Sequence, residues 1–205
     1  MTTTTIELLR HGQPTDSDCM RGRTDVSLSQ TGWEQMQHAL DRQQECTAGI
    51  DCIITSPLVR CSAFAKHFGQ QADKPVNVIE QWQEIDFGDW DGIPYAQLWQ
   101  QEKERLSQYW ADPWSHTPPN GETLVDFDSR VHNAFQQLLR DHAGKHLLVV
   151  THAGVMRQLI QQLLKLPKDD THLSRIELPY ASRIKITVYT DKNQQQWPRL
   201  HLAVF

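Results

Sequence analysis

The sequence has no apolar run long enough to cross a membrane. Its first residues, Met1-Thr2-Thr3-Thr4-Thr5, carry neither a basic n-region nor an apolar h-region. It also has no basic block. The 20 lysines and arginines are outnumbered by 25 acidic residues, for a formal charge of −5. That balance excludes a nucleic-acid surface as the main business, because nothing neutralises a run of phosphates. It leaves room for a local cluster of arginines around one small anion. Cysteine is scarce, and Cys19, Cys46, Cys52 and Cys61 form no C-x-x-C pair. Cys52 and Cys61 fall in apolar patterns, so they read as buried thiols in a reducing compartment. The histidines show no H-E-x-x-H spacing, so no metal is expected. No G-x-G-x-x-G follows the first strand, which removes a Rossmann dinucleotide site, and no cofactor is expected. Repeats at solenoid periods and low-complexity tracts are absent too. These absences leave a soluble, cytoplasmic protein of 205 residues, read as one domain, with no membrane and no nucleic-acid partner.

Within that frame, short apolar runs alternate with amphipathic stretches. Ile6-Glu7-Leu8-Leu9 reads as a buried strand that stops at Arg10-His11-Gly12. A polar loop follows to Asp25. Thr31 and Glu34 form a capping box, with Ser29 as the alternative cap, and Trp33, Met36 and Leu40 predict a helix to about Glu45. Cys52-Ile53-Ile54-Thr55 is a second strand, and Ser56-Pro57 reads as the N-cap and first residue of the next helix. Leu58, Cys61, Ala65 and Phe68 give that helix one apolar face, with Arg60 off it. Val76 to Ile79 is a weaker third strand. From Gln81 to Gly121 the alternation stops, and five of the seven tryptophans gather there: Trp82, Trp90, Trp99, Trp110 and Trp114. The segment reads as an insertion covering the sheet's edge, helical around Ala96 to Tyr109, with a lid over about residues 91–121.

Thr123 to Asp141 is the clearest helix, and Thr123/Asp126 can cap it. His146 to Thr151 is the clearest strand. It runs through His152-Ala153-Gly154 into a helix that Pro167 ends. Ser182 to Tyr189 and Leu200 to Phe205 close the chain as strands around a turn at Asp191-Lys192-Asn193. The order predicts an α/β domain of three layers, a mainly parallel sheet flanked by helices.

Three strand ends supply polar residues: Arg10 and His11, then Arg60 beyond the second strand, then His152. Ends of parallel strands share one edge of the sheet. Two guanidiniums and two imidazoles around one point suit an anion, and planar arginine forks match the oxygens of phosphate. Neighbouring cations keep an imidazole neutral and therefore nucleophilic. Phosphoryl transfer through histidine also needs an acid for the leaving oxygen. Glu84 is the best placed carboxylate and Asp86 the runner-up.

Leu9-Arg10-His11-Gly12 with Val150-Thr151-His152-Ala153-Gly154 resembles the histidine phosphatase (phosphoglycerate mutase-like) superfamily. The likeness continues in order through Gly22-x-x-Asp25-Val26-x-Leu28-Ser29-x-x-Gly32, Ser56-Pro57-Leu58-x-Arg60, Glu84-x-x-Phe87-Gly88-Asp89-Trp90 and Pro119-Asn120-Gly121-Glu122-Thr123. The resemblance implies that His11 is the phosphorylated nucleophile and Glu84 the proton donor. It implies that Arg10, Arg60 and His152 hold the phosphoryl group, with Ser17, Gly22 and Ala153 as further phosphate contacts. Phe87-Gly88-Asp89-Trp90 looks most like the α-ribazole phosphatases of cobalamin assembly. Three departures stand out: Gln13 replaces the usual Glu, Ser17 the usual Asn, and Arg21 precedes Gly22, where it either adds a charge at the pocket mouth or is solvated, the solvated reading being preferred.

The leading expectation is a metal-independent phosphomonoesterase acting on α-ribazole 5′-phosphate, its planar base stacked on tryptophans of the insertion. The alternatives are a broad-specificity phosphatase, mutase-type transfer and a non-catalytic phosphate-binding module. The partner is a small phosphorylated metabolite, and the chain a monomer or homodimer. Among the remaining residues, Glu122 reads as a helix cap, the histidines outside the site as mostly surface, and Glu102 to Arg105 as a solvated helix face.

Overall fold

The computed structural model describes residues 1–16, 18–41 and 49–201. Strands β1 (Thr2–Arg10), β2 (Cys52–Thr55), β3 (Val76–Val78), β4 (His146–Thr151), β5 (Arg183–Thr190) and β6 (Gln196–His201) form one sheet in the order β3-β2-β4-β1-β5-β6. The pairs β3–β2, β2–β4 and β4–β1 are parallel. β5 runs antiparallel to β1, and β6 antiparallel to β5. The sheet is therefore mixed, with a parallel half and an antiparallel margin.

Apolar side chains alternate across the central strands and make two cores. Ile6, Leu8, Ile54, Leu147, Val149 and Ile186 point to one face, and Leu9, Ile53, Leu148 and Val150 to the other. Burial on both faces is why these strands read as nearly continuous apolar runs. Helices α1 (Gln30–Asp41) and α2 (Val59–Ala72) cover the second face through Met36, Leu40, Cys61, Phe64 and Ala65. Helices α5 (Leu124–Asp141) and α6 (Ala153–Leu164) cover the first through Phe127, Val131, Phe135, Val155 and Leu159. The result is the expected three-layer α/β arrangement. Among the described residues, α3 (Tyr95–Gln101), α4 (Lys103–Ala111) and α7 (Thr171–Arg175) complete seven helices.

The stretch expected to be helical around 96–109 is two short helices, α3 and α4, broken at Glu102. Tyr109 of α4 packs edge-on against Trp90 and Phe87, with centroids 5.7 and 6.3 Å apart. The start of this segment is tied to the loop after β1. Cys19 bridges to Pro94, Met20 N–H donates to the Ile93 carbonyl at 3.0 Å, and the Asp91 carboxylate accepts from the N–H groups of Gly22, Arg23 and Thr24.

Several boundaries differ from the sequence reading. Ser29, not the Thr31/Glu34 box, caps α1: its Oγ accepts from Gly32 N–H at 3.0 Å. The expected extension to Glu45 lies outside the described residues. α2 begins at Val59, so Ser56 is not its cap; the Val59 N–H is held instead by Asp25 Oδ1 at 2.6 Å, from 34 positions away in sequence. Ser56 Oγ accepts from Leu58 N–H at 3.3 Å, just ahead of the helix. β6 begins at Gln196 rather than Leu200, and residues 202–205 lie outside the described part. α5 keeps its expected cap, with Asp126 N–H donating to Thr123 Oγ1 at 3.0 Å. Cys19, Cys52 and Cys61 are buried free thiols; Cys46 lies outside the described residues. No described helix is long and apolar enough to cross a membrane.

Candidate active site

Register brings the strand ends together. Arg10 lies opposite Thr151, and Thr55 opposite Val150. Residues 11, 56 and 152 therefore leave the sheet side by side, at the carboxyl edge where open α/β sheets bind ligands. The antiparallel β5 enters the sheet from the same edge, so the residues just before Arg183 arrive there too.

A cavity of about 210 Å³ opens at this edge. Arg10, His11, Glu84 and Ala153 line it, as does Gly154. The Nδ1 of His11 lies 2.8 Å from the Gly12 carbonyl oxygen. A carbonyl only accepts, so Nδ1 carries the proton and Nε2 is left with its lone pair. The backbone N–H of His11 donates to the Thr151 carbonyl at 3.0 Å, which joins the two strand ends directly. Burial, reinforced by the positive charge of Arg60, holds the His11 imidazole well below its ordinary pKa. The ring is neutral and points a free nitrogen at a cationic cavity. Gly12 is required here for packing, because a Cβ would lie 2.1 Å from the Gly32 carbonyl oxygen.

Glu84 is buried, and its carboxylate is fixed from two sides. Oε2 accepts from Gly154 N–H at 2.9 Å and Oε1 from Ile85 N–H at 3.2 Å. The loop behind it is clamped by Arg130. That guanidinium donates to the carbonyls of Gln81, Gln83 and Glu84 and pairs with both oxygens of Glu122 at 2.8 Å. Glu122 is thus an ion-pair partner of Arg130 rather than a helix cap. Asp86, the runner-up acid, faces the backbone of Gly88 and lies 3.6 Å from Arg23; it is not on the cavity wall.

Arg60 and His152 sit behind His11, completely buried. The guanidinium of Arg60 donates to the carbonyls of Thr24 and Gly22 at 2.8 and 2.5 Å. Gly22 is consequently a backbone support for Arg60, not a wall residue. His152 stands edge-on to His11, with ring centroids 5.2 Å apart, and its Nε2 meets Ser56 Oγ at 2.8 Å. Ser56 therefore meets both His152 and the Leu58 N–H. Burial, Arg60 and His11 together push the His152 pKa well below the ordinary value. Cys61 lies 3.6 Å from the same nitrogen, and burial pushes its thiol up to about 12. Ser17 lies outside the described residues.

Other residues depart from expectation. Arg21 is not solvated: its side chain is only 9% exposed and lines the cavity, donating to the Asp16 carbonyl and to Cys19 Sγ. His172 is buried rather than on the surface, 3.1 Å from Gln158 Oε1. Trp82 and Trp90 belong to the core, and of the five clustered tryptophans only Trp110 lines this cavity. The other aromatic rings of phenylalanine and tyrosine on its wall are Phe87, Tyr95, Tyr109, Phe127 and Tyr180. Arg157, also on the wall, was not anticipated. It falls one helical turn after Ala153 and so on the same face of α6, a spacing visible in the sequence. Tyr180 was missed because it precedes its strand, and only the antiparallel direction of β5 delivers it to this edge. Among the described residues no three His, Cys, Asp or Glu side chains converge as metal ligands.

Residues 6–199 match the family model for the histidine phosphatase superfamily, branch 1. The chain is 31% identical over 192 residues to a bifunctional protein of Mycobacterium tuberculosis, covering 93% of this chain and 52% of that protein. It thus spans about half the length of the first curated relatives it matches. It is 30% identical over 184 residues to the adenosylcobalamin/alpha-ribazole phosphatase of Escherichia coli, covering 87% of this chain and 88% of that one. In three dimensions it resembles Bacillus stearothermophilus YhfR, with a TM-score of 0.83, 25% identity and coverage of 98% and 96%. The Arg-His-Gly strand end, its second histidine one strand over and nearly the full length of the fold all match one family model: the chain belongs to the histidine phosphatase superfamily.

Proposed function

We propose that the chain is a phosphomonoesterase that works through a phosphohistidine at His11. The observation that carries this reading is the hydrogen bond from His11 Nδ1 to the Gly12 carbonyl. It leaves a neutral ring with Nε2 free on the wall of an arginine-lined cavity that also holds Glu84. In the first step Nε2 forms a bond to phosphorus as the bond to the ester oxygen breaks, and Glu84 gives that oxygen a proton. In the second, Glu84 takes a proton from water, whose oxygen bonds to phosphorus as the Nε2–P bond breaks. Arg10 faces the phosphoryl oxygens; Arg60 and His152 act from behind through charge and through holding His11 in place. The test is a rapid quench with substrate. An acid-labile, base-stable phosphoenzyme is expected, absent in His11→Ala, and an active His11→Ala protein would overturn the mechanism.

The substrate in this proposal is α-ribazole 5′-phosphate. The near full-length relationship to a phosphatase of that name supports it, as does the aromatic wall of Tyr95, Tyr109, Trp110 and Tyr180. The cavity volume favours a second reading, a broad range of compact phosphomonoesters, since most sites for larger ligands enclose roughly 300 Å³ or more. Comparing kcat/KM for α-ribazole phosphate, adenosine monophosphate, phosphoglycerate and a sugar phosphate separates the two. A preference of tenfold or more for the aromatic leaving group supports the first reading, and a flat profile the second. A preference for phosphoglycerate would point to mutase-type transfer, and no turnover of any of the four to a binding module. A reducing, cytoplasmic setting completes the proposal, supported by the three buried free thiols.

A further inference from the structure

The segment between α7 and β5 has a relationship to the cavity that the catalytic scheme does not use. Residues 176–182 are gripped by two of the three wall arginines, Arg10 and Arg157, through main-chain oxygens. Arg157 Nε donates to the Ile176 carbonyl at 2.7 Å, and Arg10 Nη1 donates to the Leu178 carbonyl. The segment is also tied to the nucleophile's strand. Arg10 N–H donates to the Ser182 carbonyl at 3.0 Å, and Ala181 N–H to the His11 carbonyl at 3.2 Å. Ala181 reaches that carbonyl from the left-handed region, with φ of 56°, a conformation that alanine adopts only under constraint from its surroundings. The side chain so presented is Tyr180. Its ring lies 4.2 Å from Cζ of Arg10 and 5.9 Å, centre to centre, from His11.

Arg10 is therefore fixed on two sides. One amino group is held by the Leu178 carbonyl and one face of the guanidinium is covered by an aromatic ring. Its Nε is buried without a protein partner. A guanidinium binds phosphate best when two of its N–H groups meet two oxygens at once. Left to rotate about its long side chain, Arg10 would lose that alignment on most approaches. We propose that Tyr180 is a positioning residue: by stacking on Arg10 it holds the guanidinium with its remaining donors turned toward the phosphoryl group. The assignment rests on the phosphohistidine reading above.

The experiment compares Tyr180→Phe and Tyr180→Leu with the unmodified protein, measuring kcat/KM on an alkyl and an aryl phosphate together with competitive inhibition by inorganic phosphate. Tyr180→Leu is expected to lower kcat/KM about tenfold on both esters and to raise the phosphate inhibition constant by a similar factor, equivalent to about 1.4 kcal/mol. Tyr180→Phe keeps a ring over the cation and should restore most of both. In an Arg10→Lys background, where no fork exists to align, Tyr180→Leu should have a much smaller effect. Loss confined to the aryl ester, with phosphate inhibition unchanged, would make Tyr180 a leaving-group contact and overturn the proposal. Equal losses in Phe and Leu, or an undiminished effect with Arg10→Lys, would overturn it as well. The phosphohistidine reading is tested separately, since a failure of Tyr180 to matter leaves the trapped phosphoenzyme intact.

Discussion

The carboxylate of Glu84 is held by the backbone N–H of Gly154, two residues past His152, at 2.9 Å. This contact joins the acid on the loop after β3 to the first turn of the helix after β4. It also requires residue 154 to be glycine, because a Cβ there would lie 2.2 Å from Glu84 Oε1.

Gly154→Ala is therefore expected to displace the carboxylate while leaving the fold intact, since the atom in the way is the end of a side chain. Its kcat/KM on an alkyl phosphate should fall toward that of Glu84→Gln, a loss of roughly 10²–10⁴. The loss on an activated aryl phosphate, whose leaving oxygen needs no proton, should be far smaller for both variants. A Gly154→Ala protein with equal losses on the two esters would place the acid elsewhere.

The buried histidines set a direction for stability against pH. His11, His152 and His172 all have folded pKa values below the ordinary 6.5, each mainly through burial. Below about pH 6.5 the unfolded chain takes up protons that these rings refuse in the folded state. Stability is thus complete above 6.5 and falls as pH drops below it, by up to about 1.4 kcal/mol per pH unit for each ring. Urea midpoints between pH 7.5 and 5 measure the slope. His172→Gln should flatten it only in part, since His11 and His152 are displaced further, and a midpoint independent of pH over that range would contradict the neutral assignment.

The two kinds of tryptophan in the middle of the chain should separate cleanly. Trp82 is buried, and Trp82→Ala is expected to cost about 3–5 kcal/mol of stability. Trp110 is 38% exposed at the cavity, so Trp110→Ala should leave the melting temperature within about 3 °C. It should instead reduce selectivity for an aromatic leaving group, by about 1 kcal/mol or more. Thermal denaturation and a two-substrate comparison read both effects.

Arginine, not a metal ion, supplies the positive charge in the proposed mechanism. Dialysis against a strong chelator should leave kcat/KM unchanged within error. A large loss that a divalent cation restores would require a different account of the phosphoryl contacts.

Much of this was legible because the central strands bury both faces. An apolar run that stops at Arg10-His11 or Thr151-His152 marks a strand end, and parallel strand ends share an edge. That logic gathers His11, Arg60 and His152 without coordinates. The capping of α2 was not legible, since its partner Asp25 lies 34 residues upstream and no local pattern encodes it. The preferred, solvated reading of Arg21 gives way to the pocket-mouth alternative for a related reason: a charged residue in a polar loop looks solvated until the loop is folded back by Asp91. Tyr180 required the direction of β5, which alternation of apolar residues does not specify.

The position of β1 in the sheet has a bearing on how the protein is made. It precedes the other five strands of the sheet in the chain, yet its neighbours on either side, β4 and β5, begin at His146 and Arg183. Until β4 and β5 are made, the strand that leads to the nucleophile has two unpaired edges and the side chains of Ile6, Leu8 and Leu9 uncovered, the condition in which nascent chains associate wrongly. Closure of the sheet around it must wait for contacts of long sequence separation, which makes folding slow. The active site is consequently among the last things this chain completes, and a product truncated before β4 can have none of it.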